Sequence, residues 1–253
     1  MSDPAVAAVL GSIREAIVTV TGSSLVGLYL IGSLAAGDFD AAASDIDLLA
    51  VLTDTPGEQL AARLRRMHAD LAQANPRWDD RIDVVYSSAH GLAACRTRTT
   101  TIAVISSGHP LEVIPAGPAW VLTWYPARRH GRRLLGPPID SLIPPIPTAD
   151  YIEQARQSLA RFTHRVPDDA SPGSQAHAIL TMCRGLHAVR FGELLSKPAA
   201  AAWAQQELPR WGDLIGRALD WRQRQHDPGG QDGPATVAET RAFVRELARL
   251  ALE

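Results

Sequence analysis

The sequence predicts an α/β domain followed by an all-helical domain. Three observations carry that prediction. In the first half, apolar runs of strand length at 25–32, 45–53 and 80–87 alternate with segments of helical period. A proline-dense stretch, "LLGPPIDSLIPPIPT", then interrupts the chain. Beyond it the apolar residues recur only at three-and-four spacing.

Taken in order, residues 4–20 carry apolar positions around Arg14 and Glu15 and predict an amphipathic helix, not a signal peptide. The runs 25–32 and 45–53 are strands. "GEQLAARLRRMHADLAQA" (57–74) has one apolar stripe and predicts a helix, and "DRIDVVYS" (80–87) is a third strand. A short strand pair is expected over 101–115, and a helix broken near Pro126 over 117–131. The proline stretch can be neither helix nor central strand, so it reads as an extended connection, with domains at 1–147 and 148–253. Helices are expected at 148–165, 173–191, 197–207, 210–225 and 234–252, with "HDPGGQDGP" as a break.

Bulk properties limit the function. The chain has 253 residues, 46% of them hydrophobic, and a formal net charge of −2, which gives no sign of a nucleic-acid binder. No run of 18 apolar residues suggests a membrane partner, so a cytoplasmic protein is expected. Cys95 and Cys183 lack metal-ligand or redox spacing and read as small buried residues. The cationic side chains are arginines with one exception, Lys197.

The stretch "LYLIGSLAAGDFDAAASDIDLLAVL" (28–52) puts Asp45 and Asp47 at the mouth of an apolar strand. In an extended chain the two share a face while Ile46 and Leu48 turn to the core. Two adjacent carboxylates repel each other unless a cation compensates them, and a divalent ion prefers hard oxygen ligands. Gly32-Ser33 ends the preceding strand, where glycine admits close approach of a ligand to the backbone and a helical turn offers N–H groups to phosphate. Asp83 stands on the polar face of the third strand. Three carboxylates on adjacent strands make a phosphoryl-transfer constellation. The plainer reading, strand-start acids satisfying loop N–H groups, stands beside it.

Gly-Ser, a loop of about a dozen residues, Asp-x-Asp and a later strand acid resemble the nucleotidyltransferase superfamily. "ILTMCRGLHAVRFGELLSKPAAAAWAQQELP" and "RRHGRRLLGPPIDSLIPPIP" further resemble the aminoglycoside 3″-adenylyltransferases that inactivate streptomycin and spectinomycin. The resemblance covers about residues 25–225. It implies an α/β (α+β) fold, with a nucleotidyltransferase-type mixed sheet domain followed by a helical bundle. The implied reaction is Mg2+-dependent transfer of AMP from ATP to a hydroxyl of an aminoglycoside or aminocyclitol, releasing pyrophosphate. Gly32, Ser33 and Ser44 would contact the nucleotide's phosphates. Asp45, Asp47 and Asp83 would hold magnesium, Asp83 also deprotonating the acceptor, and Arg184 and Lys197 would reach the triphosphate from the helical domain. A cationic small-molecule acceptor and a monomeric enzyme are expected. The alternatives are adenylylation of another small-molecule or protein hydroxyl, and a degenerate nucleotide-binding regulator.

Two departures bear on the acceptor. The drug-modifying members usually have glutamate where this chain has the shorter Asp83. Streptomycin-binding members place a tryptophan and acids before the long helix, where "THRVPDDASPGSQAHAI" offers only Asp168 and Asp169. Among the remaining residues, His177 and His187 read as packing or solvated side chains. Trp120, Trp124, Trp203, Trp211 and Trp221 read as helix-packing residues, and Asp38 and Asp40 as loop acids.

Overall fold

Alternating apolar residues on short segments build a six-stranded sheet in the first half of the chain. The computed structural model describes residues 3–163, 165–224 and 236–253, and the expected break at 226–234 lies outside them. The chain divides into two compact units, Met1–Ile146 and Pro147–Glu253.

In the first unit, helix α1 (Pro4–Thr21) precedes β1 (Leu25–Leu30), a short helix α2 (Gly32–Ala36) and β2 (Ile46–Leu52). Helix α3 (Glu58–Ala74) carries the chain back to β3 (Ile82–Ser88). The sheet order is β5-β4-β3-β2-β1-β6, completed by β4 (Thr100–Ser106), β5 (His109–Ala116) and β6 (Arg132–Leu135). Only the β2–β3 pairing is parallel. A parallel neighbour requires a crossover, and α3 supplies it.

The pleat then assigns the faces. Ile46, Leu48, Ala50 and Leu52 of β2, with Ile82, Val84 and Tyr86 of β3, join one core with Val6, Val9, Ile13 and Ile17 of α1 and Leu64, Met67 and Leu71 of α3. Asp47 and Asp83, at odd positions, belong to the opposite face. By length and composition α1 could cross a membrane. Its apolar face is nonetheless part of this core, with Arg14 and Glu15 exposed.

Between α3 and β3 lies a 3-10 turn, Pro76–Trp78, and β3 leads into a short helix α4 (Ala89–Ala93). Helix α5 (Val121–His130) runs through Pro126, a correction to the expected break. One N–H and its bond are lost there, at a cost of about 3 kcal/mol. The burial of Val121, Trp124, Tyr125 and Ala127 on the same helix is of a size to offset it. The proline stretch after β6 contains one 3-10 turn, Ile139–Ser141.

Among the described residues the regular structure of the second unit is helical, with α6 (Thr148–Phe162), α7 (Pro172–Phe191), α8 (Lys197–Glu207), α9 (Gly212–Gln223) and α10 (Val237–Leu250). Its core gathers Leu159, Ile179, Met182, Leu186, Ala200, Ala204, Ile215, Phe243 and Leu247 around α7. Alanines on α8 and α9 let the helices approach closely. Trp221 is buried, Trp203 and Trp211 lie against the same core, and Trp120 stacks on Trp124 at 5.5 Å in the first unit.

Candidate active site

Register is what brings the first two carboxylates together. Asp47 and Asp83 are each the second residue of their strand, and they are direct partners across the parallel β2–β3 ladder. Both are half-buried, whereas Ile46 and Leu48 beside Asp47 are 0% and 1% exposed. Asp45 lies one residue ahead of β2 and not within it; it too is half-buried.

Gly32 explains the tight turn facing Asp47. Its φ of 64° lies in the left-handed region, and a Cβ there would come within 2.0 Å of the Asp47 Oδ2. The Ile31 N–H donates to the Asp47 carbonyl at 3.0 Å, so the backbone before α2 is tied to β2 at this point. Ser33 is half-buried in the first turn of α2, whose last turn is held by Arg132 Nε donating to the Ala35 carbonyl at 2.9 Å.

Ser44 is 5% exposed. Its hydroxyl accepts the Asp40 N–H at 3.1 Å, and its own N–H donates to the Asp40 carbonyl at 2.7 Å. Asp40 is therefore a turn-forming residue more than a solvated one, since its Oδ1 also accepts the Ala42 N–H at 2.9 Å. Asp83 Oδ1 accepts the Ser107 N–H at 2.9 Å, from the turn joining β4 and β5. Asp80, at φ 58°, holds the same turn through Ser107 Oγ and the Gly108 N–H.

Among the described residues no three carboxylate, imidazole or thiol groups converge as a ready-made metal cage. Mg2+ is ordinarily held by one or two carboxylates and completed by substrate phosphates and water. The half-buried Asp47, a hard oxygen donor against the Gly32 turn, and the half-buried Asp45 two residues ahead of it are residues of that kind.

In the second unit, Arg184 on α7 donates from Nε to the Leu195 carbonyl at 3.1 Å, gripping the loop that leads to Lys197. Lys197 is the first residue of α8, after the N-cap Ser196, whose hydroxyl accepts the Ala199 N–H at 3.1 Å. A cation at a helix N-terminus opposes the macrodipole, so helix stability does not account for this lysine. His177 is pushed down to about 4 by loss of solvation and by the cations Lys197, Arg184 and Arg165. Arg184 and Lys197 are thus neighbours of one imidazole, which itself stacks on Phe162 at 6.4 Å. His187, by contrast, is buried, its Nδ1 donating to the Glu193 carbonyl at 3.1 Å.

Sequence reading missed Arg81, Trp78, Asp80 and Ser107. They carry no periodic signal, and the only sequence hint is the polar run "WDDR" directly ahead of a buried strand. Asp168, one of the two acids before the long helix, is paired with Arg241 of α10, which also grips the Val166 carbonyl.

Comparison with known proteins places these features in context. Residues 141–247 match the family model of the aminoglycoside adenylyltransferase C-terminal domain. An aminoglycoside (3″)(9) adenylyltransferase of Klebsiella pneumoniae is 32% identical over 83 residues, 33% of this chain and 30% of the relative. This chain thus aligns with about 30% of the length of such relatives. A spectinomycin 9-adenylyltransferase of Staphylococcus aureus is 25% identical over 199 residues, 75% of this chain and 74% of the relative. In fold, the chain is similar to an Enterococcus spectinomycin adenyltransferase solved with ATP and spectinomycin. The TM-score is 0.77 at 16% identity, covering 97% of this chain and 98% of that one.

Proposed function

We propose that this chain, whose residues 141–247 match the family model of the aminoglycoside adenylyltransferase C-terminal domain, is an adenylyltransferase that transfers AMP from ATP to a hydroxyl of an aminocyclitol or aminoglycoside antibiotic. The observation that carries the reading is the in-register pair Asp47 and Asp83 beside the Gly32 turn. The relatives named for adenylylation of aminoglycosides and spectinomycin support it.

In this reading Asp45 and Asp47 hold Mg2+, with Asp83 beside them. The bound ion supplies charge neutralisation of the triphosphate and polarisation of its α-phosphorus. Gly32, Ser33 and Ser44 form the phosphate end of the site in the first unit. Arg184 and Lys197 serve as phosphate contacts from the second; the placement of Lys197 at the start of α8, where the helix dipole does not favour a cation, supports that role. Asp83 takes the proton of the acceptor hydroxyl. The acceptor oxygen attacks the α-phosphorus, the bond to the bridging oxygen of the β-phosphate breaks, and pyrophosphate leaves. The reaction needs ATP and magnesium at cellular levels, in keeping with action in the cytoplasm.

Spectinomycin is the preferred acceptor in this proposal. Streptomycin carries guanidinium groups that call for acids near the long helix, and the ion pair of Asp168 with Arg241 withdraws one of the two available. Pyrophosphate release with ATP, Mg2+ and an antibiotic panel, joined to mass spectrometry of the products, tests both statements. An AMP adduct of spectinomycin formed fastest is expected. Fastest turnover of streptomycin overturns the acceptor assignment, and absence of any adduct across the panel overturns the antibiotic reading.

A further inference from the structure

The turn ahead of β3 grips the loop that carries Asp45 with main chain and side chain at once. Arg81 is 6% exposed. Its Nη2 donates to the carbonyls of Ala41 at 3.0 Å and Ser44 at 2.6 Å. Its own carbonyl accepts the Ile46 N–H at 2.9 Å. The residues on both sides of Asp45 are therefore bonded to this one arginine. Its guanidinium lies 4.8 Å from the centre of the Trp78 ring, and Trp78 stacks with Phe39 at 6.3 Å. The start of the loop is thereby fixed to the same turn as its end.

Packing alone does not explain such a residue. A buried guanidinium loses hydration, and the Arg81 Nε is buried without a hydrogen-bond partner. A fixed cation held against the loop of Asp45 favours a carboxylate there before any metal ion arrives.

We propose that Arg81 is a positioning residue for the phosphoryl-transfer site, setting the 40–46 loop so that Asp45 stands in its working place before ATP and the divalent cation bind. The inference rests on the reading of Asp45 as a cation-holding carboxylate. Misplacement of a reacting group by about 1 Å can cost on the order of 100-fold in rate, so a loop clamp of this kind has kinetic weight.

The test uses the full chain with Arg81→Lys, which keeps the charge and loses the fork, and Arg81→Gln, which loses both. Three quantities are read: amide exchange at residues 41–46 without ligand, Mn2+ affinity by electron paramagnetic resonance with ATP present, and kcat against Mg2+ concentration. Expected are exchange at 41–46 about ten times faster with the interior of β2 unchanged, Mn2+·ATP affinity about ten times weaker, and kcat down by on the order of 100-fold at unchanged acceptor KM. Wild-type Mn2+ affinity and Mg2+ dependence in folded variants, whatever the loss of melting temperature, overturn the proposal. If Arg81→Gln does not fold, Arg81→Lys is judged alone by the same readings. A wild-type chain that binds no Mn2+·ATP fails the functional reading instead, and the exchange of 41–46 then still reports whether Arg81 holds the loop.

Discussion

Asp47 and Asp83 are partners in one ladder, yet their surroundings differ. Asp47 faces the Gly32 turn, where no side chain fits. Asp83 is oriented by the Ser107 N–H of the next hairpin. Asp47→Asn should abolish turnover and weaken ATP·Mg2+ binding together, because an amide cannot neutralise the cation. Asp83→Asn should lower kcat by roughly 10²- to 10⁴-fold, and ATP affinity should hold if the residue acts as a base. Asp83→Glu separates the remaining options: it raises the rate if the shorter acid is a poor base for the drug hydroxyl, and lowers it if the reach is already matched to the acceptor. Wild-type rates in both Asp83 variants would leave it an ordinary strand acid. Gly32→Ala should cost about 1–3 kcal/mol of stability through its positive φ, and should displace the Asp47 carboxylate as well; a Tm loss with unchanged Mg2+ dependence would refute the second part. At this scale the candidate acids, Gly32 and Lys197 could be singled out in the sequence because charge beside an apolar strand and a lone lysine among arginines both stand out. Arg81 was not, since a buried arginine has the same letter as a solvated one and only the fold brings it to Ser44.

Among the elements, long periodic segments were legible and short ones were not. Helices α2 and α4 have five residues each, less than two turns, so no stripe can form. Strand β6, "RRLL", is a four-residue edge strand with two exposed arginines, whose pairing to β1 is set by tertiary contact. The α3–β3 contact has a consequence for pH. His68 Nε2 and the Tyr86 hydroxyl are 2.8 Å apart in the core, and burial lowers the His68 pKa to about 4 from the usual 6.5. Between those values the unfolded chain binds a proton that the folded one refuses. The stability this pair contributes is therefore whole above about pH 6.5 and is lost as pH falls toward 4, by up to about 3 kcal/mol. Chemical denaturation at pH 7 and pH 5 should show that loss in the wild type and a flatter profile in His68→Leu/Tyr86→Phe, which removes both polar partners. Equal slopes would mean that other groups carry the acid sensitivity.

For the whole molecule, the two cores share no residue: one is drawn from buried residues between Val6 and Leu111 with partly buried neighbours up to Leu135, the other from buried residues between Leu159 and Ala251. Each unit thus has an apolar core of its own. Calorimetry should resolve two transitions, and a single two-state transition would show strong coupling. If phosphate contacts are divided between the units as proposed, chain cut near Pro147 should lose most of its ATP affinity, as should intact chain with chelator; unchanged binding by the first unit alone would exclude a role for Arg184 and Lys197. The division itself was legible because five residues of one type, Pro137, Pro138, Pro144, Pro145 and Pro147, forbid regular structure locally.

Lys197 has a further consequence outside the reaction. It is the sole side-chain amine in the chain, it is half-buried at the start of α8, and Pro198 follows it. Acylating reagents that scatter over the surface of most proteins have a single ε-amino target here, and a lysine-specific protease meets only a prolyl bond. A fluorophore coupled through that amine would sit at one known address, turning the molecule into a uniformly labelled reporter without a cysteine having to be added or removed.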